Sequence, residues 1–176
     1  MKIRTITIFL SITSEDMLQD GKSFRKKMEV AKKVACQIEA SLSQESYEVQ
    51  TIRVSTNAFE DYLNIENEGI LDDQLELISE VVVECGISFF NLGPSISPAS
   101  QEVILRLLTK SDSFNCSMHI PSSDHGVCDL DVCRKASEIM KGLEEETEGG
   151  LGNFRFVIFL YFFLQFGMLK KNTMIT

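Results

Sequence analysis

Residues 87–98 read ISFFNLGPSISP, an apolar run that stops at Gly93-Pro94 and is followed at once by a helix start, Ser97-Pro98. A strand, a sharp loop and a helix N-terminus in immediate succession leave few folds open. This is how α/β proteins build a binding edge at the carboxyl end of a parallel strand. On both sides of the stretch, short segments of period two alternate with longer segments of helical period. That pattern predicts an α/β fold with alternating strands and helices and a mostly parallel sheet.

Taken in order, IRTITIFL at 3–10 places Ile6, Ile8 and Leu10 at period two, the pattern of a strand with a buried face. The period changes over 23–42. There Phe24, Met28, Ala31, Ala35, Ile38 and Leu42 share one helical face, and Arg25, Lys26, Lys32, Lys33 and Glu39 fall away from it. YEVQTIRVS at 47–55 is rich in β-branched residues and predicts a second strand, closing a βαβ unit. Residues 57–68 read as a short helix or ordered loop. Leu71, Leu75, Ile78, Val82 and Cys85 then predict a second helix, with Gly86 as its C-terminal cap.

Only Ser88 and Asn91 interrupt the apolar run at 87–92, which reads as a strand covered on both faces. Ser97 as N-cap and Pro98 at the first helical position predict a helix over 98–110. SFNCSMHI at 113–120 alternates Phe114, Cys116, Met118 and Ile120 against Ser113, Asn115, Ser117 and His119, a further strand. Asp129 caps a last helix over 130–143. An acidic turn with Gly149-Gly150 follows and leads to GNFRF.

With 176 residues, 44% of them hydrophobic and 24% charged, the chain has room for one globular domain with a sizeable core. The net charge of -9 and the scattered basic residues argue against a nucleic-acid partner. Cysteines at 36, 85, 116, 128 and 133 are odd in number and dispersed, which suits a reducing, cytoplasmic compartment better than a disulfide framework. Lys2 and Arg4 precede an apolar stretch, but it is too short and too rich in threonine for a signal peptide.

No GxSxG, GxGxxG, Walker loop or HExxH occurs, and no catalytic residue or cofactor is assigned. The candidate ligand-binding residues are those at the strand ends. They are Asn91, Gly93, Ser95 and Ser97 around the central loop, and His119 and His125 on the strand and loop that follow. The N–H groups at the Ser97 helix start suit a phosphate or carboxylate; the alternative is that Ser97 itself satisfies them. Cys116, His119, His125, Cys128 and Cys133 are zinc-ligand types. Cys116 and His119, however, stand an odd number of residues apart on a strand and leave by opposite faces, which makes Cys116 a core residue. His119, His125 and Cys128 remain as a loop cluster to which no metal is assigned. Asp124-His125 beside Cys128 has the order of a base and nucleophile but lacks an oxyanion element.

KIRTITIFLSIT, YEVQTIRVSTNAFEDYL, ISFFNLGPSISP and GLGNFRF, in this order and spacing over residues 2–156, resemble the DUF711 family, also called UPF0210. The resemblance implies a fold like the large α/β barrel of pyruvate formate-lyase-like glycyl-radical enzymes, of which this chain would be an incomplete N-terminal part. It carries no catalytic residue onto any position here. In the family, the match to Asn153, Phe154 and Arg155 leads into a small-residue stretch and a proline- and phenylalanine-rich motif.

After Phe156 this chain departs from that pattern, and residues 157–176 read as a divergent apolar tail. As a helix, 156–169 would extend about 21 Å against a bilayer core of about 30 Å, so a membrane span is disfavoured. A hydrophobic strand is one reading of this segment, and a translated extension that replaces the family's C-terminal half is the favoured one. The chain then reads as a truncated family member whose intact form binds or converts a small anionic metabolite. The alternative is a non-catalytic interaction or regulatory protein, homo-oligomeric or not, that associates through an exposed sheet edge and apolar tail.

Overall fold

The computed structural model describes residues 1–121 and 128–160. Seven strands alternate with helices: β1 (Lys2–Ile3), β2 (Ile6–Leu10), α1 (Lys22–Gln44), β3 (Glu48–Val49), β4 (Ile52–Thr56), α2 (Glu68–Cys85), β5 (Phe89–Ser95), α3 (Pro98–Glu102), α4 (Ile104–Lys110), β6 (Phe114–Ile120), α5 (Leu130–Glu146) and β7 (Phe156–Leu160). β1 and β3 form a small parallel pair. The main sheet has the order β2-β4-β5-β6-β7, and every pairing in it is parallel.

Strand order therefore follows chain order. Right-handed crossovers that always step in one direction bring every helix to the same face of the sheet. One continuous core records this. Phe24, Met28 and Ala31 of α1, Leu71 and Leu75 of α2, Ile104 and Leu108 of α4, and Ile139 of α5 pack with Val54, Phe90, Leu92, Phe114, Cys116 and Met118 of the sheet. At its centre the Phe90 ring meets Phe24 edge-on at 6.1 Å and Phe114 at 6.4 Å.

The opposite face carries Thr7, Phe9, Arg53, Ser55, Phe89, Asn91, Asn115, Ser117, His119, Val157 and Phe159, and no described element covers it. This corrects the reading of 87–92 as a strand covered on both faces: Phe90 is fully buried under the helices, whereas Phe89 and Asn91 are half-buried on the open side. The helix read over 98–110 is two pieces, with Val103 as the shared joint between α3 and α4. The two N-terminal strands are likewise each interrupted, which yields the β1/β3 pair. Gly86 caps α2 in the left-handed conformation at φ 67°, and Asp129 caps α5 by accepting from the N–H groups of Asp131 and Val132.

β7 begins at Phe156, where the family pattern was read as ending, and pairs with β6 in unbroken register. Arg155, just before it, is nearly buried and donates to the carbonyls of Leu108 at 2.8 Å and Ser111 at 2.7 Å. The guanidinium thus satisfies carbonyls at the end of α4 that have no helical partner. Among the described residues, no helix is long and apolar enough to cross a membrane.

Candidate ligand site on the sheet

The loop after β5 is shaped by a bulge. Asn91 pairs with Asn115 and Pro94 with Ser117, so β5 carries one residue more than β6 between these pairs. Gly93 has φ +90°, and a Cβ there would run into the backbone carbonyl of Asn57. Only glycine permits both the dihedral and this approach. The bulge leaves strand carbonyls unpaired within the ladder, and side chains from the neighbouring loop satisfy them. Thr56 Oγ1 donates to the Asn91 carbonyl at 3.1 Å, and Tyr62 Oη donates to the Leu92 carbonyl at 3.0 Å. Asn91 Oδ1 accepts from the Gly93 N–H at 2.9 Å, so the Asn91 side chain itself helps hold the turn.

Beyond the bulge, Ser95 is fully buried and its hydroxyl meets Ser100 Oγ at 2.7 Å. Ser97 is the N-cap of α3, accepting from the Ser100 N–H at 3.2 Å. Glu60 lies against this helix start. Its Oε2 accepts from Ser97 Oγ at 2.6 Å and from the Ser97 N–H at 3.2 Å. Burial pushes the Glu60 carboxyl up, but the hydrogen bonds led by Ser97 outweigh it and hold the group below its ordinary value. The chain thus brings its own carboxylate to the helix start where an external anion was envisaged.

At the same edge, Asn57 clamps the loop after β2 by accepting from the Ile12 N–H at 2.8 Å and donating to the Ile12 carbonyl at 3.0 Å. Asp16 in that loop is nearly buried and accepts from the Thr13 N–H at 2.8 Å, Ser23 Oγ at 2.6 Å and the Lys27 ammonium. Burial opposes its ionisation, yet these donors hold it well below the usual carboxylate range.

The profile of the family described as Uncharacterised ACR (DUF711) matches residues 1–162. The chain belongs to the DUF711 family. No match was found among curated proteins. The match runs through β7, so the first residues of the segment read as a divergent tail fall inside both the family profile and the sheet.

In this DUF711 chain the candidate residues separate into two sets. Asn91 and His119 share the open face, about 13 Å apart along the strand direction by their register. Ser95 and Ser97 sit at the helix side and edge, bonded internally. His119 lies opposite Phe159, their rings edge-on at 5.6 Å. Cys116 points into the core as its spacing required, and burial pushes its thiol well above the usual range. His125 lies outside the described residues, as do 161–176. Among the described residues, no group of three His, Cys, Asp or Glu side chains converges as metal ligands would.

Glu60 and Arg53 were missed from sequence. Glu60 stands 37 residues from Ser97, and no local pattern links them. Arg53 lies on the open face beside Ser55 and Asn91, its guanidinium 5.6 Å above the Phe89 ring. Strand alternation puts Arg53 on the face opposite Val54, but no local pattern reveals that no described element covers this face.

Proposed function

We propose that this DUF711 protein binds a small anionic metabolite against the open face of its sheet, with Asn91 and His119 among the contacting residues. Gly93, Ser95 and Ser97 contribute by shaping the β5–α3 loop. One observation carries the reading: although the chain has a net charge of -9, the open face bears hydroxyl, amide, imidazole and guanidinium groups and no described carboxylate. A face free of like charge, rich in donors and partly shielded by aromatic rings favours an anion.

Isothermal titration with small carboxylates and phosphates tests this reading. Saturable binding that Asn91→Ala or His119→Ala weakens by about tenfold supports it. Binding indifferent to both substitutions, or no binding of any anion, removes it.

A second reading is favoured by the exposure of Phe9 (79%), Val157 (46%) and Phe159 (46%) beside the two unpaired edges, β2 and β7, of the described sheet. In that reading the chain associates with another protein or with itself through this apolar margin. Sedimentation decides it: a monomer at all concentrations counts against self-association.

A further inference from the structure

We propose that Arg53 is the residue that receives the anion, and that the anion is a single carboxylate carried on an apolar body. This rests on the reading of the open face as an anion-binding surface and names its anchor and ligand class. Arg25, Arg106, Arg134 and Arg155 each pair with a carboxylate of the chain, and Arg4, which like Arg53 is in no ion pair among the described residues, is exposed ahead of β2. Arg53 pairs with none among the described residues, and its Nε is buried without a hydrogen-bond partner. The Phe89 ring, with its centroid 5.6 Å from the guanidinium carbon, gives Arg53 a cation–π contact that leaves its charge without a carboxylate partner. A half-buried guanidinium with no partner for its charge favours an anion from outside, and a carboxylate matches its planar N–H donors.

The size of the charge selects the class. Arg53 is the one guanidinium on this face and no lysine joins it among the described residues, so a monoanion is matched where a phosphate dianion is left half-neutralised. The apolar body follows from Phe9, which lies beside Ser55 one strand away and is 79% exposed. An aromatic or aliphatic group attached to the carboxylate covers this ring while Arg53 holds the charged end.

Thermal-shift titration and calorimetry on the full 176-residue chain, with benzoate, acetate and inorganic phosphate as probes, test the assignment. Benzoate binds saturably, acetate more weakly, and phosphate least. Arg53→Gln weakens benzoate by about tenfold or more, and Arg53→Lys gives an intermediate loss because it keeps the charge but not the fork. Phe9→Ser weakens benzoate without affecting acetate. If Arg53→Gln does not fold, the Arg53→Lys and Phe9→Ser results decide. Benzoate affinity unchanged by Arg53 substitution, or phosphate bound more tightly than benzoate, overturns the assignment. Should Asn91→Ala or His119→Ala abolish anion binding while Arg53→Gln leaves it intact, the broader function stands and this inference alone falls. No anion binding at all removes both. A dimer dissolved by Arg53→Gln assigns the missing carboxylate to a second copy, and overturns the small-molecule version.

Discussion

Phe89 and Phe90 are neighbours in β5 and belong to different environments. Phe90 is fully buried between Phe24 and Phe114, in a core to which α1, α2, α4 and α5 all contribute. Phe89 is half-buried on the open side, beneath Arg53. The helix-covered face is selected for volume and fit, since each side chain there touches others that cannot move away. The open face mixes aromatic rings with Ser55, Asn91, Asn115, Ser117 and His119, a composition that would be expensive in a dry core and is suited to contact with something polar.

The sharpest test of that contrast is a pair of substitutions one residue apart. Phe90→Ala is expected to destabilise the protein by about 3–5 kcal/mol, through lost burial and the cavity it leaves. Phe89→Ala is expected to cost roughly 1 kcal/mol. Urea denaturation measures both, and equal losses would erase the distinction between the faces.

Next in size is the bulge that lies between them. Gly93→Ala must adopt φ +90° and meets the Asn57 carbonyl, so a loss of about 2–3 kcal/mol is expected in the same assay. A neutral result would mean that the β5 and Asn57 backbones separate without cost.

The rim supplies a pH-dependent test. Asp16 ordinarily titrates near 3.8 and is held well below that in the folded protein, despite burial, by Lys27, Ser23 and Thr13. A carboxylate with a depressed native value contributes stability that is fully present above its unfolded value and is lost as pH falls towards the native one. Asp16→Asn is therefore expected to be less stable at neutral pH and to show a shallower decline below about pH 4. Parallel acid limbs for the two proteins would show that the network contributes nothing specific.

The smallest expected effect is at Phe9. Phe9→Ser is expected to change stability by no more than about 0.5 kcal/mol, because the ring is already mostly in water. A larger loss would mean that the open face is packed in solution.

Much of the architecture was legible because alternation and capping are local signals. SFNCSMHI assigned Cys116 and His119 to opposite faces, and Ser97-Pro98 marked a helix start whose cap geometry the structure bears out. What stayed hidden depends on distant residues. The bulge arises because Asn57 and Tyr62 approach β5 from another loop, and Glu60 reaches Ser97 across 37 positions. The one-sided sheet was obscured by Phe89, whose apolar character reads as core although it faces Arg53. The candidate site was legible as a place, the ends and face of the central strands, and not as a set of contacts. Asn91 and His119 share the open face, while Ser95 and Ser97 are engaged with Ser100 and Glu60.

The order β2-β4-β5-β6-β7 also bears on how the chain reaches its native state. Each strand in the main sheet pairs with the one laid down just before it, so no docking step waits for a distant partner to emerge. During synthesis the nascent chain can add one βα unit at a time to a growing sheet, each addition closing only a short loop of sequence. Vectorial assembly of this kind keeps the advancing edge to a single strand. A pause after α2 would present β4 to the solvent, and β5, with its glycine bulge, would then be the next strand to cover it.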